Sequence, residues 1–140
     1  MTDSNHALIL HVRNDLEELP GIADEVTRFL EENEAGPAIV FNVNLVIEEL
    51  VTNSIKYGYD DALEHTILIE LEMLPEKVRI RLEDDGHFFD PFQQPEPDTS
   101  LPIEERPIGG LGIHFIRKMT DFQSYERSDD RNVIIIEKKL

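Results

Sequence analysis

The first part of the chain carries a hydrophobic pattern that predicts one strand and two helices. Residues 7–12 are apolar and alternating enough for a strand. From there to about residue 33, apolar side chains recur at every third or fourth position, which is the spacing of an amphipathic helix. A second helix is predicted over about residues 38–57, because Pro37 suits a first helical turn and Gly58 suits a helix end.

The second part of the chain predicts a hairpin, a long loop, a helix and two further strands. Residues 65–73 and 78–84 each alternate, and the turn at Pro75 between them predicts a β-hairpin. Residues 85–108 contain five prolines, which indicates a long loop that is either functional or disordered. The remaining predicted elements are a helix over about residues 109–120 and strands near residues 123–127 and 132–138.

The order of these elements, β-α-α-β-β-loop-α-β-β, predicts the fold class. A single α/β (α+β) domain is expected over residues 1–140, since this length suits one hydrophobic core. The expected architecture is a two-layer sandwich, with a mixed, mostly antiparallel sheet covered on one face by about three helices.

Composition narrows the classes of partner. The formal net charge is −17 and only 13 residues are basic, which disfavours binding to DNA, RNA or anionic lipid. There are no cysteines, which suits a reducing cytoplasm. The polar start of the chain does not resemble a signal peptide, and no stretch is expected to approach the roughly 18–20 apolar residues that a membrane span needs. A cytoplasmic protein is therefore expected.

The second predicted helix carries a carboxylate and a carboxamide one turn apart, at Glu49 and Asn53. Both fall on one flank of the apolar stripe, at the border between core and solvent. Oxygen ligands of this kind suit Mg²⁺, and the pair could hold a cation and a hydroxyl. The alternative is an ordinary amphipathic helix whose flank carries these two common residues.

A second feature is the sequence Asp84-Asp85-Gly86 at the end of the hairpin. Asp84 continues the inward face of its strand, so its carboxylate is expected to point toward the core. There it could accept a hydrogen bond from a bound amino group such as that of a purine, and Gly86 would permit close approach of a ligand. The alternative is an Asp-Gly turn in which Asp84 bonds to local backbone.

A third feature is Gly109-Gly110-Leu111-Gly112 at the start of the predicted third helix. Glycines at a helix start expose backbone N–H groups, and the helix dipole adds attraction for an anion. The alternative is a glycine-rich helix entry that binds nothing.

Taken in this order, the three features resemble the motifs of the GHKL (Bergerat-fold) ATPases, over roughly residues 6–138. The stretch from Glu49 to Tyr59 is similar to the N-box of the anti-sigma serine-kinase branch. The stretch from Asp84 to Pro91 is similar to its first glycine box, except that Phe88 stands where the family often has a second glycine. The stretch from Gly110 to Ile113, together with Asp121, is similar to its second glycine box.

The resemblance implies that the chain binds ATP and Mg²⁺ in a Bergerat-type fold. It implies that Asn53 ligates Mg²⁺ and that Glu49 orients or deprotonates the attacking hydroxyl. Asp84 would accept from the adenine amino group. An ATP lid is implied over about residues 92–108. The remaining implied nucleotide-binding residues are Gly86, Gly110, Leu111 and Gly112.

The resemblance also implies a biological role. The chain lacks room for a histidine-kinase dimerisation segment or for a gyrase-type transducer domain, so it is expected to act on a separate molecule. The implied activity is that of an anti-sigma serine/threonine-protein kinase, which phosphorylates a STAS-domain antagonist, holds a sigma factor, and changes partner with nucleotide state. A homodimer is implied as well. Two alternatives stay open: a non-catalytic, nucleotide-gated binding module and a stand-alone histidine-kinase fragment.

Overall fold

A computed structural model describes residues 6–93 and 110–140 of the protein. The elements follow the predicted order, and their boundaries differ from prediction by at most two residues, except that the first α-helix begins at Leu19, several residues later than the pattern predicts. Short 3-10 turns lie at Leu16–Glu18 and Pro91–Gln93. The strands and helices are β1 (Ala7–Arg13), α1 (Leu19–Glu32), α2 (Pro37–Gly58), β2 (Thr66–Met73), β3 (Lys77–Asp84), α3 (Gly110–Met119), β4 (Phe122–Ser128) and β5 (Arg131–Lys139).

The five strands form one sheet in the order β1-β2-β3-β5-β4. Every strand pairing in the described part of the chain is antiparallel, so the sheet is not mixed there. The predicted two-layer α+β fold is confirmed. Strands β2 and β3 form the predicted hairpin. The chain then passes through α3 to the edge strand β4 and returns as β5 beside β3. The end of β3 therefore lies next to the start of β5, with Asp84 opposite Asn132.

The two faces of the sheet differ in chemistry. One face packs against the helices through alternate, fully buried residues of the central strands, as the period of two in the sequence predicts. The other face carries cross-strand ion pairs, such as Arg79 with Glu72 at 3.1 Å and with Glu137 at 2.9 Å. These charges keep the outer face compatible with water. The fully buried strand residues of the inner face are Ile67, Ile69, Leu71, Val78, Ile80, Leu82 and Ile136.

Helix α2 is more apolar than sequence reasoning recognised. By length and composition it could cross a membrane, with a mean hydropathy of 1.3 over its best window. The reason lies partly in packing: one side of the helix supplies five apolar residues to the core. They are Val43, Val46, Ile47, Leu50 and Val51.

The turn between β4 and β5 holds two residues in the left-handed region. Asp129 has a φ of 53° and Asp130 a φ of 60°, in a two-residue hairpin loop that normally prefers Asn-Gly. Asp130→Gly is expected to raise the free energy of unfolding by about 0.5–1 kcal/mol, because relief of left-handed strain outweighs the entropy that glycine adds. Urea unfolding measures the change. Asp130→Ala keeps the Cβ atom and should not increase stability. Equal urea midpoints for the two variants would therefore contradict backbone strain at Asp130.

Candidate functional site

The start of α3 lies directly against the side chain of Glu49 on α2. A Cβ atom added to Gly112 would come within 1.9 Å of Glu49 Oε2 and 2.3 Å of its Cδ. Only a residue without a side chain fits here unless the glutamate moves. Two of the three sequence features, far apart in the chain, therefore meet at one place, where a carboxylate faces the positive end of a helix dipole.

The environment of Glu49 favours its neutral form. The pKa of the Glu49 carboxyl is raised, first by partial burial and then by repulsion from Glu48, while Lys56 partly offsets both effects. A carboxylate with a raised pKa is a better general base near neutral pH than one in water. Because Glu49 remains half-exposed, a substrate hydroxyl can reach it.

Asn53 follows Glu49 by one helical turn and is almost fully buried, with 5% of its surface exposed. Its amide nitrogen is buried and has no hydrogen-bond partner among the described residues. A buried polar atom without a partner costs free energy, which a bound polar ligand would recover. The helix places Asn53 one turn from Glu49, but Asn53 is buried rather than at the predicted border between core and solvent.

Asp84 is buried at the end of β3, with 3% of its surface exposed, as its parity predicted. One carboxylate oxygen accepts from Ser54 Oγ at 2.6 Å. The other accepts from the backbone N–H of Gly86 at 2.9 Å and from the Asn132 side chain at 2.9 Å. The local backbone bond that was the alternative interpretation is therefore present, together with two long-range partners. These bonds compensate the burial of the carboxylate.

Sequence analysis missed Asn132 as part of this cluster. Asn132 is buried at the first inward position of β5, and besides Asp84 it donates to the carbonyl of His87 at 2.7 Å. Its side-chain oxygen accepts from Tyr125 and from Arg127. The alternation of β5 is the sequence signal that could have identified Asn132, because it places this polar residue on the same inward face as Ile134 and Ile136.

A cavity beside Asp84 is nearly filled. Its free volume is about 10 Å³, the space of about one water molecule. Phe89 and Pro91 form part of its wall, and Phe89 stacks on Tyr57 with ring centroids 5.0 Å apart. Phe88, the departure from the family motif, lies outside the cavity: it is 61% exposed and packs edge-on against Tyr125. A purine therefore requires movement of the segment around Phe89.

Gly86 packs backbone against backbone with the end of α2. A Cβ atom at this position would lie 2.6 Å from the carbonyl oxygen of Gly58 and 2.9 Å from its Cα. The next residue, His87, donates its backbone N–H to the same carbonyl at 2.7 Å. Packing against Gly58 therefore requires glycine at position 86, independently of any close approach by a ligand.

The rest of the predicted site is described in part. Helix α3 begins at Gly110, close to the predicted residue 109. Leu111 lies within its first turn, but its side chain is outside the description. Residues 94–109, which hold nearly all of the expected lid over 92–108, are outside the described residues.

A sequence profile for the histidine kinase-like ATPase domain matches residues 12–138. Among solved structures, the histidine kinase AdeS of Acinetobacter baumannii superposes with a TM-score of 0.50 at 14% identity. The superposition covers 93% of this chain and 67% of AdeS. This likeness shows the fold.

Three related proteins are named as protein kinases or as an anti-sigma factor. The serine/threonine-protein kinase BtrW of Bordetella bronchiseptica is 24% identical over 66% of this chain and 65% of its own. The anti-sigma F factor of Clostridium novyi is 28% identical over 81% of this chain and 80% of its own. The serine-protein kinase RsbW of Listeria monocytogenes is 26% identical over 57% of this chain and 54% of its own. The match thus spans less than two thirds of BtrW and RsbW.

Proposed function

The chain belongs to the histidine kinase-like ATPase domains, and from that membership we propose that it is an anti-sigma-type serine/threonine-protein kinase. In this proposal it transfers phosphate from Mg-ATP to a STAS-domain antagonist, and nucleotide state decides whether it holds that antagonist or a sigma factor. The names of the relatives support this branch of the family. A cytoplasmic location and a homodimer belong to the same proposal.

The observation that carries the proposal is the meeting of three separate motifs. Glu49 and Asn53 lie one turn apart on α2, and the start of α3 lies against Glu49. Asp84 at the end of β3 accepts a hydrogen bond from Ser54, the residue after Asn53. A base, a metal ligand, a helix N-terminus and a buried acceptor are the parts that positioned phosphoryl transfer needs.

The residues present fit Mg²⁺ and triphosphate. The amide oxygen of Asn53 is the kind of ligand that Mg²⁺ takes, and its unpartnered amide nitrogen is a donor that suits a phosphate oxygen. No group of three or more His, Cys, Asp or Glu side chains that could hold a metal lies in residues 6–93 or 110–140. That pattern suits Mg²⁺, which usually relies on few protein ligands and on substrate phosphates. When bound, the ion would neutralise charge on the transferred phosphoryl group.

Glu49 would act on the protein substrate. The hydroxyl oxygen of a serine or threonine bonds to the γ-phosphorus as the bond from that phosphorus to ADP breaks, and the hydroxyl proton passes to Glu49. Partial burial helps, because it raises the pKa of Glu49 and so strengthens it as a base. The start of α3, where Gly112 contacts Glu49, would supply backbone donors to the phosphates.

The direct test is phosphate transfer. The protein is mixed with radiolabelled ATP, Mg²⁺ and purified STAS-domain proteins from the same genome, and labelled protein is followed with time. Label on a STAS protein, lost when Mg²⁺ is chelated, is the expected result. Nucleotide binding without any transfer would favour the non-catalytic binding module.

Nucleotide affinity should depend on Asp84. Asp84→Asn keeps the shape of the side chain but removes one acceptor, and it is expected to weaken ADP binding by about 1–3 kcal/mol. Titration calorimetry measures the change. Asp85→Asn, at the exposed neighbouring residue, is the matched control and should bind as the wild type does. Equal affinity of the Asp84 and Asp85 variants would rule out Asp84 as the adenine acceptor.

A further inference from the structure

A groove of about 200 Å³ lies between α1 and α2. Its lining is mainly apolar, and its two most buried members are Ile22 and Ile47, at 4% and 2% exposed. Phe41 borders it with 62% of its surface exposed. The other lining residues are Leu19, Ala23, Asn44, Leu45 and Glu48.

The apolar surface of α2 exceeds what the core uses. Only 39% of the most apolar 18-residue window of the helix is buried. Phe41 and Leu45 lie one turn apart on the side that borders the groove. A large aromatic side chain that is mostly exposed beside an apolar groove is a common anchor for a binding partner. This surface is therefore a largely apolar groove that is open to solvent on the helical layer.

The two helices that form the groove are acidic, and Glu48 is among the residues that line it. Residues 16–49 contain nine carboxylates and a single cation, Arg28. Arg28 itself lies 3.5 Å from Glu25 on the same helix. This charge attracts a basic partner and repels anionic lipid and nucleic acid. An apolar groove with an acidic border is complementary to an amphipathic helix with basic flanks.

We propose that the groove between α1 and α2 binds a basic amphipathic helix of a partner protein. The apolar ridge of that helix packs on Phe41 and Leu45, and its lysine or arginine side chains pair with carboxylates such as Glu48. Glu48 borders the groove while the next residue, Glu49, contacts Gly112. A docked helix therefore lies beside the proposed nucleotide site, on the neighbouring face of α2, because Leu45 precedes Glu49 by one helical turn. This docking does not depend on phosphoryl transfer, so either proposal can fail alone.

The probe is a labelled synthetic helix of about 18 residues, with leucine at helical spacing and lysine elsewhere. A peptide of the same composition in scrambled order controls for net charge. We expect fluorescence anisotropy to show tighter binding of the amphipathic peptide. Backbone amide chemical shifts of the protein should change mainly within residues 19–48. Equal binding of the two peptides would reduce the effect to attraction by net charge and overturn the proposal.

Variants of the protein locate the binding. Phe41→Ala is expected to weaken peptide binding about tenfold or more without loss of thermal stability, because the ring is mostly exposed. Glu48→Lys should also weaken it, and more at low salt. Phe122→Ala removes an aromatic ring that is 47% exposed on β4 and should change nothing.

Three outcomes would overturn the proposal at this stage. The first is peptide binding that Phe41→Ala leaves unchanged. The second is self-association of the protein that Phe41→Ala abolishes while the peptide does not bind, which would assign the groove to a second copy. The third is binding to anionic vesicles that depends on Phe41.

Discussion

Glu49→Gln should lower the rate of phosphate transfer by roughly 10²–10⁴-fold while leaving nucleotide binding unchanged. The substitution keeps the size of the side chain against Gly112 but removes the proposed base for the hydroxyl proton. In the wild type, transfer should slow as the pH falls through the raised pKa of Glu49, because the protonated carboxyl cannot accept a proton. The variant should lose that pH dependence. Single-turnover transfer to a STAS-domain protein measures both effects.

Two further variants separate the roles on α2. Asn53→Ala should impair Mg²⁺-dependent nucleotide binding as well as transfer, because it removes the proposed metal ligand. Glu126→Gln removes an exposed carboxylate on β4 and should leave both properties unchanged. A wild-type transfer rate for Glu49→Gln would reduce Glu49 to a surface carboxylate and favour the non-catalytic module.

Gly86→Ala should destabilise the fold by about 1–3 kcal/mol, the range for forcing an extra methyl group into packed atoms. The new Cβ atom would overlap the carbonyl and Cα of Gly58, which are backbone atoms and cannot rotate away. The end of α2 must then separate from the end of β3. Urea unfolding without nucleotide measures this cost independently of any ligand.

Gly21→Ala is the matched control for Gly86→Ala. Gly21 lies in α1, and a Cβ atom there meets nothing within 4 Å. Alanine should therefore stabilise the protein by about 0.5–1 kcal/mol through its higher helix propensity. A stability loss for Gly86→Ala no larger than the effect at Gly21 would contradict the backbone contact with Gly58.

The order of the elements and the inward position of Asp84 could be predicted because both follow from local periodicity. Alternation places Asp84 on the inner face of β3, and helical spacing places Glu49 and Asn53 on one flank of α2. Neither rule needs knowledge of distant residues. The structure confirms the inward position of Asp84, whereas Asn53 is buried rather than at the border between core and solvent.

The parts that were missed depend on contacts between distant segments. Asn132 became part of the Asp84 cluster because β5 pairs with β3 in one particular register. The approach of Gly86 to Gly58 depends on how α2 sits on the sheet. The filling of the cavity by Phe89 depends on its stacking with Tyr57. Periodicity in a single sequence fixes which face a residue occupies, but not which residue from another element it meets there.

Helix α2 serves three neighbours at once, and this constrains its length more than its composition. One side faces the core, a flank carries Glu49 and Asn53, and the exposed side next to that flank borders the groove at Phe41. A substitution affects one side at a time. Insertion of a single residue, however, turns everything after it by about 100°. The later part of the helix would then turn core residues toward the proposed nucleotide site, and Glu49 and Asn53 away from it. Functional homologues of this chain are therefore expected to lack insertions and deletions within α2.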